Sequence, residues 1–406
     1  MMPPKICLLS DHHLCINPRL WKEAFYYENK GFEVVVLTMW QSKNLLAKDW
    51  EIVKGHNISY KPYLNITPGE IGKARRLFYR LRSRLAAEIQ RFLKMGTPWA
   101  ISHAPEMMLK KALLENAALY VAHLECAFYT GRDLIKAGKK VIFDFEDWYS
   151  HDYLVPQRAV KLLDAAERYA LTNGLFCTAT SKAMALALNE YYQIHKKITV
   201  IYNGFPATMT KEIKAEGETL QKSDRIRLLW FSRNIGTGRG LEFLLNALWV
   251  CQIPVELHLL GMMDEEYKDF LNNNFPSKNN HQLVLHSFLP YHELAGFISQ
   301  FDIGLAIEEN VNDNKILTIS NKLLQYLQAG LPVLASDTKG QREVAGYFPE
   351  TVKLVDIHNP LQWEMGIDFL RNVDAVNRQK QKETFQKIYS WEAQEKKLDN
   401  LLAKYS

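Results

Sequence analysis

The stretch Leu229-Trp-Phe-Ser-Arg233-Asn-Ile-Gly236-Thr-Gly238-Arg239-Gly240-Leu241 joins an apolar run to a glycine-rich turn and then to a new amphipathic segment. The run 226–231 predicts a buried strand, and the spacing that follows predicts a helix over Leu241–Val250. In a doubly wound sheet, ligands sit outside the carboxyl ends of strands, and anions bind where a helix N-terminus presents unpaired N–H groups. Gly236, Gly238 and Gly240 let the backbone come close to such a ligand. Arg233 and Arg239 add two guanidinium forks, each able to grip phosphate oxygens bidentately, so a diphosphate is the natural occupant. The same residues also describe a glycine-rich turn with two solvated arginines.

Outward from this stretch, short β-branched runs alternate with amphipathic helices, the pattern of parallel sheets covered on both faces. Strands are expected at 6–9, 33–38, 119–123, 141–145, 175–178 and 198–202, with helices at 18–29, 157–171 and 182–192. Pro18 sits at a first-turn position, Gly31 stops that helix, and Ser181 suits an N-cap. A polar segment at 206–225 carries no apolar periodicity and reads as a linker. The alternation then resumes with strands at 226–231, 255–260, 283–285, 302–307 and 332–335 and helices at 241–250, 292–300 and 322–329. The expected division is a first α/β domain at 1–205, the linker, a second α/β domain at 226–385 and a terminal helix at 386–406.

Composition fits this class. The 406 residues are 47% hydrophobic and 23% charged, enough chain for two cores. A formal charge of +5 is small for the length and implies no nucleic-acid partner. Five scattered cysteines without a Cys-x-x-Cys pair suggest free thiols in a reducing compartment rather than a disulfide framework or a zinc site. Neither a signal-peptide core nor an uncharged apolar run of spanning length is evident, so the expected location is cytoplasmic.

A second cluster is Thr318-Ile-Ser320-Asn321-Lys322-Leu-Leu-Gln325-Tyr-Leu-Gln-Ala-Gly330-Leu-Pro332. Ser320 and Asn321 are good capping residues, so a helix begins there with N–H groups and the Lys322 ammonium at one end. Gln325, one turn further in, is placed to reach a ribose or base. A well-capped helix with no ligand fits the same residues.

The spacing from Arg233 to Arg239-Gly240, followed by the Asn-Lys helix ending Ala-Gly-x-Pro, resembles the family 4 retaining glycosyltransferases. Thr178-Ala-Thr-Ser181-Lys, Tyr191-Tyr192, Val200-Ile-Tyr-Asn203-Gly204 and Trp391 extend the resemblance over nearly the whole chain. It implies a GT-B fold, with two Rossmann-like domains facing a cleft and a C-terminal helix crossing back to the first. It also implies a nucleoside diphosphate sugar as co-substrate, with Arg233 and Arg239 on the diphosphate, retention at the anomeric carbon, and neither metal nor cofactor. Two features depart from the family. Gln325 and Leu317 replace a pair of glutamates, for which Glu308 or Glu309 would have to substitute. The loop after the first strand reads Asp11-His12-His13-Leu-Cys-Ile-Asn17-Pro18-Arg19 in place of a glycine-rich one.

In the first half, the resemblance places His123 near the donor sugar, where a neutral imidazole would orient a hydroxyl. Asp144, Glu146 and Asp147 follow the next strand. They read as an acceptor site able to position or deprotonate a hydroxyl, as solvated acids, or, through Asp144 and Glu146 at i and i+2, as metal ligands. His12 and His13 read as cleft-lining or structural. Segment 73–94 is a basic amphipathic helix: Leu77, Leu81, Leu85 and Ile89 recur at helical spacing among eight Arg or Lys, with the single acid Glu88 between them. Its apolar stripe either packs on the first domain or meets an anionic membrane surface near a glycan, lipid-linked or other envelope acceptor. Other classes consistent with the sequence are a non-catalytic nucleotide-sugar binder and a sugar-nucleotide epimerase.

Overall fold

The computed structural model describes residues 3–152, 157–207, 224–276, 278–287, 289 and 291–405. The expected linker falls largely at 208–223, outside the described residues. Two compact units account for the chain: one built from residues up to Thr180 with Met184–Ile201, the other from Ser181–Ala183 with Tyr202–Lys404.

The first unit carries a parallel sheet of β1 (Lys5–Leu9), β2 (Glu33–Trp40), β3 (Ile58–Asn65), β4 (Leu119–His123), β5 (Val141–Phe145), β6 (Cys177–Ala179) and β7 (Thr199–Val200). Their spatial order is β3-β2-β1-β4-β5-β6-β7. The second unit repeats the plan with β8 (Ile226–Asn234), β9 (Val255–Met262), β10 (Gln282–His286), β11 (Ile303–Ala306), β12 (Val333–Ser336) and β13 (Val352–Val355), ordered β10-β9-β8-β11-β12-β13. In each sheet the chain winds outward from the middle, returns, and winds the other way. The reversal opens a crevice at the carboxyl ends of β1 and β4 in one unit and of β8 and β11 in the other.

Sequence explains most of these elements. The central strands β1, β4, β5, β11 and β12 are almost wholly buried runs, as a sheet covered on both faces requires. Helix Pro18–Asn29 starts with Asn17 accepting the Leu20 amide at 3.2 Å and ends before Gly31 at φ 82°. Helix Leu241–Val250 buries Leu241, Leu244, Leu245 and Leu248 at helical spacing against Trp230, Leu257 and Trp363. None of the five cysteines forms a disulfide.

Two strands escaped the sequence pattern, β3 and β13. Both lie at sheet edges, and β3 contains Lys61 and Pro62, residues an interior strand does not tolerate but an edge does. Within the second unit, the segment leaving β7 meets the C-terminal helices. A Cβ on Gly204 would lie 1.6 Å from the Tyr389 carbonyl oxygen, and the Tyr202 amide donates to Gln394 Oε1 at 3.1 Å. Only glycine allows that approach.

Candidate functional site

In the second unit, β8 runs past its expected end at Phe231 to Asn234, through an irregularity in its pairing with β9. Such a bulge takes side chains off the ladder and re-aims them. Arg233 lies in it. The turn that follows holds Gly238 at φ 75° and Gly240 at φ 80°, and Gly240 N-caps helix Leu241–Val250. A Cβ on Gly240 would stand 2.6 Å from Ile307 Cγ2, so the turn is pressed against the residue that follows β11. No such crowding surrounds Gly236 or Gly238, which have nothing within 4 Å of a built Cβ. Arg233 and Arg239 are exposed, and among the described residues neither enters an ion pair or hydrogen bond.

The loop after β11 closes the other side of this crevice. Glu309 accepts the Gly240 amide at 2.8 Å, joining the two loops across the switch point. Glu308 Oε1 accepts from Lys322 Nζ at 2.9 Å and from Ser320 Oγ at 3.0 Å. Burial would raise the Glu308 carboxyl, but the Lys322 and Lys315 ammonium groups outweigh it and hold it below its ordinary value. Helix Asn321–Ala329 begins here. Ser320 occupies its N-cap position as expected, but makes no capping bond, because its hydroxyl serves Glu308 instead. Asn321 is exposed and Gln325 half-buried one turn on. Lys322 also lies 5.3 Å from the Trp230 ring centroid. Leu317, where a second acid would be expected, is a buried side chain whose carbonyl accepts the Ser181 hydroxyl at 2.6 Å. The predicted residues Arg233, Gly236, Gly238, Arg239, Gly240, Glu308, Ser320, Asn321, Lys322 and Gln325 thus belong to one unit, on the loops and helix starts around its switch point. Guanidinium groups unpaired among the described residues, on a turn whose backbone is open to approach, are an arrangement able to receive an anion.

The first unit's switch point is built differently. Arg19, in the first turn of helix Pro18–Asn29, is fully buried. It grips Asp144 with Nε and Nη2, both at 2.9 Å, and reaches Glu23 at 3.0 Å and the Ile201 carbonyl at 2.7 Å. His123, also fully buried, lies 3.0 Å from Glu146, 3.4 Å from Asp144 and 3.4 Å from Glu23. Asn17 Nδ2 donates to the same Glu146 oxygen at 2.8 Å. Burial lowers the His123 imidazole, but Glu23, Glu146 and Asp144 together push it up to about 10. It is therefore an imidazolium at neutral pH, a correction to the neutral imidazole expected from sequence. Asp144 is held below the ordinary carboxylate range: burial raises it, and Arg19 and His123 overcome that.

Asp144 and Glu146, read from sequence as a possible metal pair, both approach His123 Nδ1. Ligand atoms of Glu23, His123 and Asp144 do converge within 4.8 Å of one another. The Arg19 guanidinium already bonds both of those carboxylates and sets a fixed positive charge beside them. Asp147 is half-buried just beyond Glu146. His13 is structural: its Nε2 accepts the Gln41 amide at 3.0 Å while Nδ1 donates to Asp49 at 2.5 Å. His12 is exposed.

Sequence reasoning gave no role to Arg19, Glu23 or Glu125. Glu125, at the start of helix Leu124–Lys136, pairs with Arg158, and both line a cavity of about 630 Å³ together with Arg84 and Glu88. Burial pushes the Glu125 carboxyl up to about 8 against the pull of Arg158. Its position two residues after His123, past the end of β4, was the available signal.

No protein-family model and no curated protein matches the chain. Solved structures do. HepE of Anabaena, in complex with UDP and glucose, superposes with a TM-score of 0.66 at 14% identity, over 99% of this chain and all of that one (100%). Sucrose-phosphate synthase from Thermosynechococcus elongatus gives 0.70 at 14% identity, over 99% of each chain. An α,α-trehalose-phosphate synthase (UDP-forming) from Burkholderia vietnamiensis gives 0.67 at 10% identity, over 98% of this chain and 100% of that one. The fold is GT-B. In the GT-B chain, the glycine turn after β8 and the helix at Asn321–Ala329 both belong to the second α/β unit, and the buried charge cluster to the first.

Proposed function

We propose that this chain is a glycosyltransferase that moves a sugar from a nucleoside diphosphate donor to a glycan or lipid-linked acceptor. The observation that carries the reading is the pair of exposed, unpaired guanidinium groups, Arg233 and Arg239, on the glycine turn at the second unit's switch point. Negative charge develops on the departing diphosphate as the glycosidic bond breaks, and preorganised cations stabilise it there. Amides at the start of helix Asn321–Ala329 add to this field. Lys322 acts with Glu308 as a fixed ion pair, which orients the ammonium instead of leaving it mobile. Gln325 is the residue we assign to the ribose or base. Full-length likeness to HepE in complex with UDP and glucose, and to a UDP-forming synthase, supports a nucleoside diphosphate sugar as donor.

On the acceptor side, we assign the cavity at Glu125 and Arg158, with Glu146 and Asp147 nearer the end of β5. A carboxyl raised to about 8 is largely protonated at neutral pH and is suited to orienting an acceptor hydroxyl by hydrogen bonding. His123 is a positioning residue in this scheme, since its ring is enclosed by carboxylates and holds Glu146 in place. Retention follows if the leaving phosphate itself takes the acceptor proton on the face it has just vacated.

Two arginines and helix N-termini fill the role a divalent cation plays in metal-dependent transferases. Transfer is therefore expected to survive EDTA, and loss of activity restored by Mn²⁺ would reverse the assignment. A screen of nucleoside diphosphates by thermal shift tests the donor site first. A ligand at a hundred times its dissociation constant stabilises by about 2.7 kcal/mol, and no shift with any nucleotide would remove the proposal. Gln325 and Leu317 in place of an acidic pair favour a second reading, a nucleotide-sugar binder without turnover. Donor binding with no release of nucleoside diphosphate, with or without acceptor, would select it.

A further inference from the structure

Helix Lys73–Leu93 leaves its apolar stripe uncovered. Leu77, Leu81, Leu85 and Phe92 are 55%, 52%, 63% and 72% exposed, and Phe78, Leu93 and Met95 are exposed beside them. The helix is held to its unit by the opposite side, through buried Tyr79, Ala86 and Gln90. Ser83 donates to the Trp99 carbonyl at 2.9 Å, and Arg82 bonds the His103 carbonyl and Glu106. Of the expected stripe, Ile89 is half-buried, whereas Leu77, Leu81 and Leu85 do not pack on the first unit as one of the sequence expectations had it. At helical periodicity, Leu77, Leu81, Phe92, Leu85 and Phe78 share an arc of about 100° that points away from the protein. Lys73, Arg80 and Arg91 form a row along one border of that arc and Arg75 lies on the other, while Arg84, on the first border, lines the cavity at Glu125. Glu88 is the single acid of the helix, and it pairs with Arg91 at 3.6 Å.

We propose that this helix docks the protein on an anionic lipid bilayer, lying in the interface with its leucines and phenylalanines at the acyl boundary and its cations among the headgroup phosphates. Two features together select that occupant. The exposed apolar residues of this arc run along several helical turns, interrupted by Glu88, and form a larger group than the scattered apolar residues of an ordinary surface. Its flank is almost purely cationic, which suits a sheet of anionic headgroups more than a second copy of the same basic helix. Among the described residues no helix is long and apolar enough to cross a membrane. The inference does not depend on sugar transfer.

Co-sedimentation of the full chain with vesicles of phosphatidylcholine alone, and of phosphatidylcholine with phosphatidylglycerol, tests it. Binding is expected only with phosphatidylglycerol and should weaken as salt rises. Lys73→Gln/Arg80→Gln/Arg91→Gln should lower the partition coefficient on the order of a hundredfold, since each basic residue at the surface contributes a factor of several. Leu77→Gln/Leu81→Gln/Leu85→Gln should abolish retention on vesicles even at low salt. All six side chains are exposed, so both variants should keep the wild-type unfolding midpoint, which certifies that they are folded. Equal binding to both vesicle types, binding to neither, or leucine-dependent self-association in sedimentation velocity without vesicle binding would each overturn the proposal.

Discussion

At the first unit's switch point Arg19, Glu23, His123 and Asp144 are buried and joined by ion pairs, whereas at the second unit's switch point Arg233 and Arg239 are exposed and, among the described residues, unpaired. The two sheets share one winding order, so topology does not account for the difference. What differs is where the counter-charge comes from. In the first unit the protein supplies it: carboxylates on helix Pro18–Asn29 and β5 saturate the arginine, and the cluster ties that helix to the sheet. In the second unit no carboxylate among the described residues pairs with either guanidinium, which the proposed function assigns to the charge of a ligand.

The comparison can be broken most severely at Arg19. Removing one member of a buried ion pair strands its partners, at about 3–5 kcal/mol. Arg19→Met should therefore lower the unfolding free energy by that order in urea, while Arg239→Met leaves the midpoint unchanged. Equal stability of Arg19→Met and wild type would show that the cluster is not what holds the helix to the sheet.

A pH series sharpens the same contrast. His123 is raised in the folded protein to about 10 from its ordinary 6.5, so its contribution is fully present below about 6.5 and is lost as pH rises through about 10. The wild type should lose up to about 1.4 kcal/mol per pH unit across that window relative to His123→Gln. Parallel stability profiles for the two proteins would contradict the imidazolium.

The smallest effect lies in the second unit's turn. Gly240→Ala places a Cβ at φ 80° and 2.6 Å from Ile307 Cγ2, which should cost about 1–3 kcal/mol and displace Arg239. Gly236→Ala, in open space, should cost less than about 0.5 kcal/mol. Equal melting temperatures for the two variants would mean that the turn is not held against the loop after β11.

The glycine turn could be read from sequence because its signals are local: an apolar run, three glycines and two arginines within one short stretch. The buried cluster could not, since Arg19 and Asp144 come from different elements and meet only once β1 and β5 share a sheet. Asn17-Pro18 announced the helix start, but nothing in the spacing said that Arg19 would turn inward. Ser320 illustrates a subtler loss. Its type and place predicted a cap, and a long-range carboxylate, Glu308, took the hydroxyl instead. On helix Lys73–Leu93 the periodicity gave the amphipathic stripe, but could not say that Tyr79, Ala86 and Gln90 would form the packed side. Edge strands β3 and β13 were missed because they need not be uniformly apolar.

The central claim is that charge at the second switch point serves a ligand and not the fold. Release of nucleoside diphosphate from UDP-glucose or another accepted donor, measured for wild type, Arg233→Ala and Arg239→Ala beside their urea unfolding curves, tests it directly. Each variant is predicted to lose about a hundredfold or more in kcat/KM with an unfolding curve that overlays the wild type. Unchanged kinetics in both variants, or a loss of activity matched by a loss of stability, would contradict it.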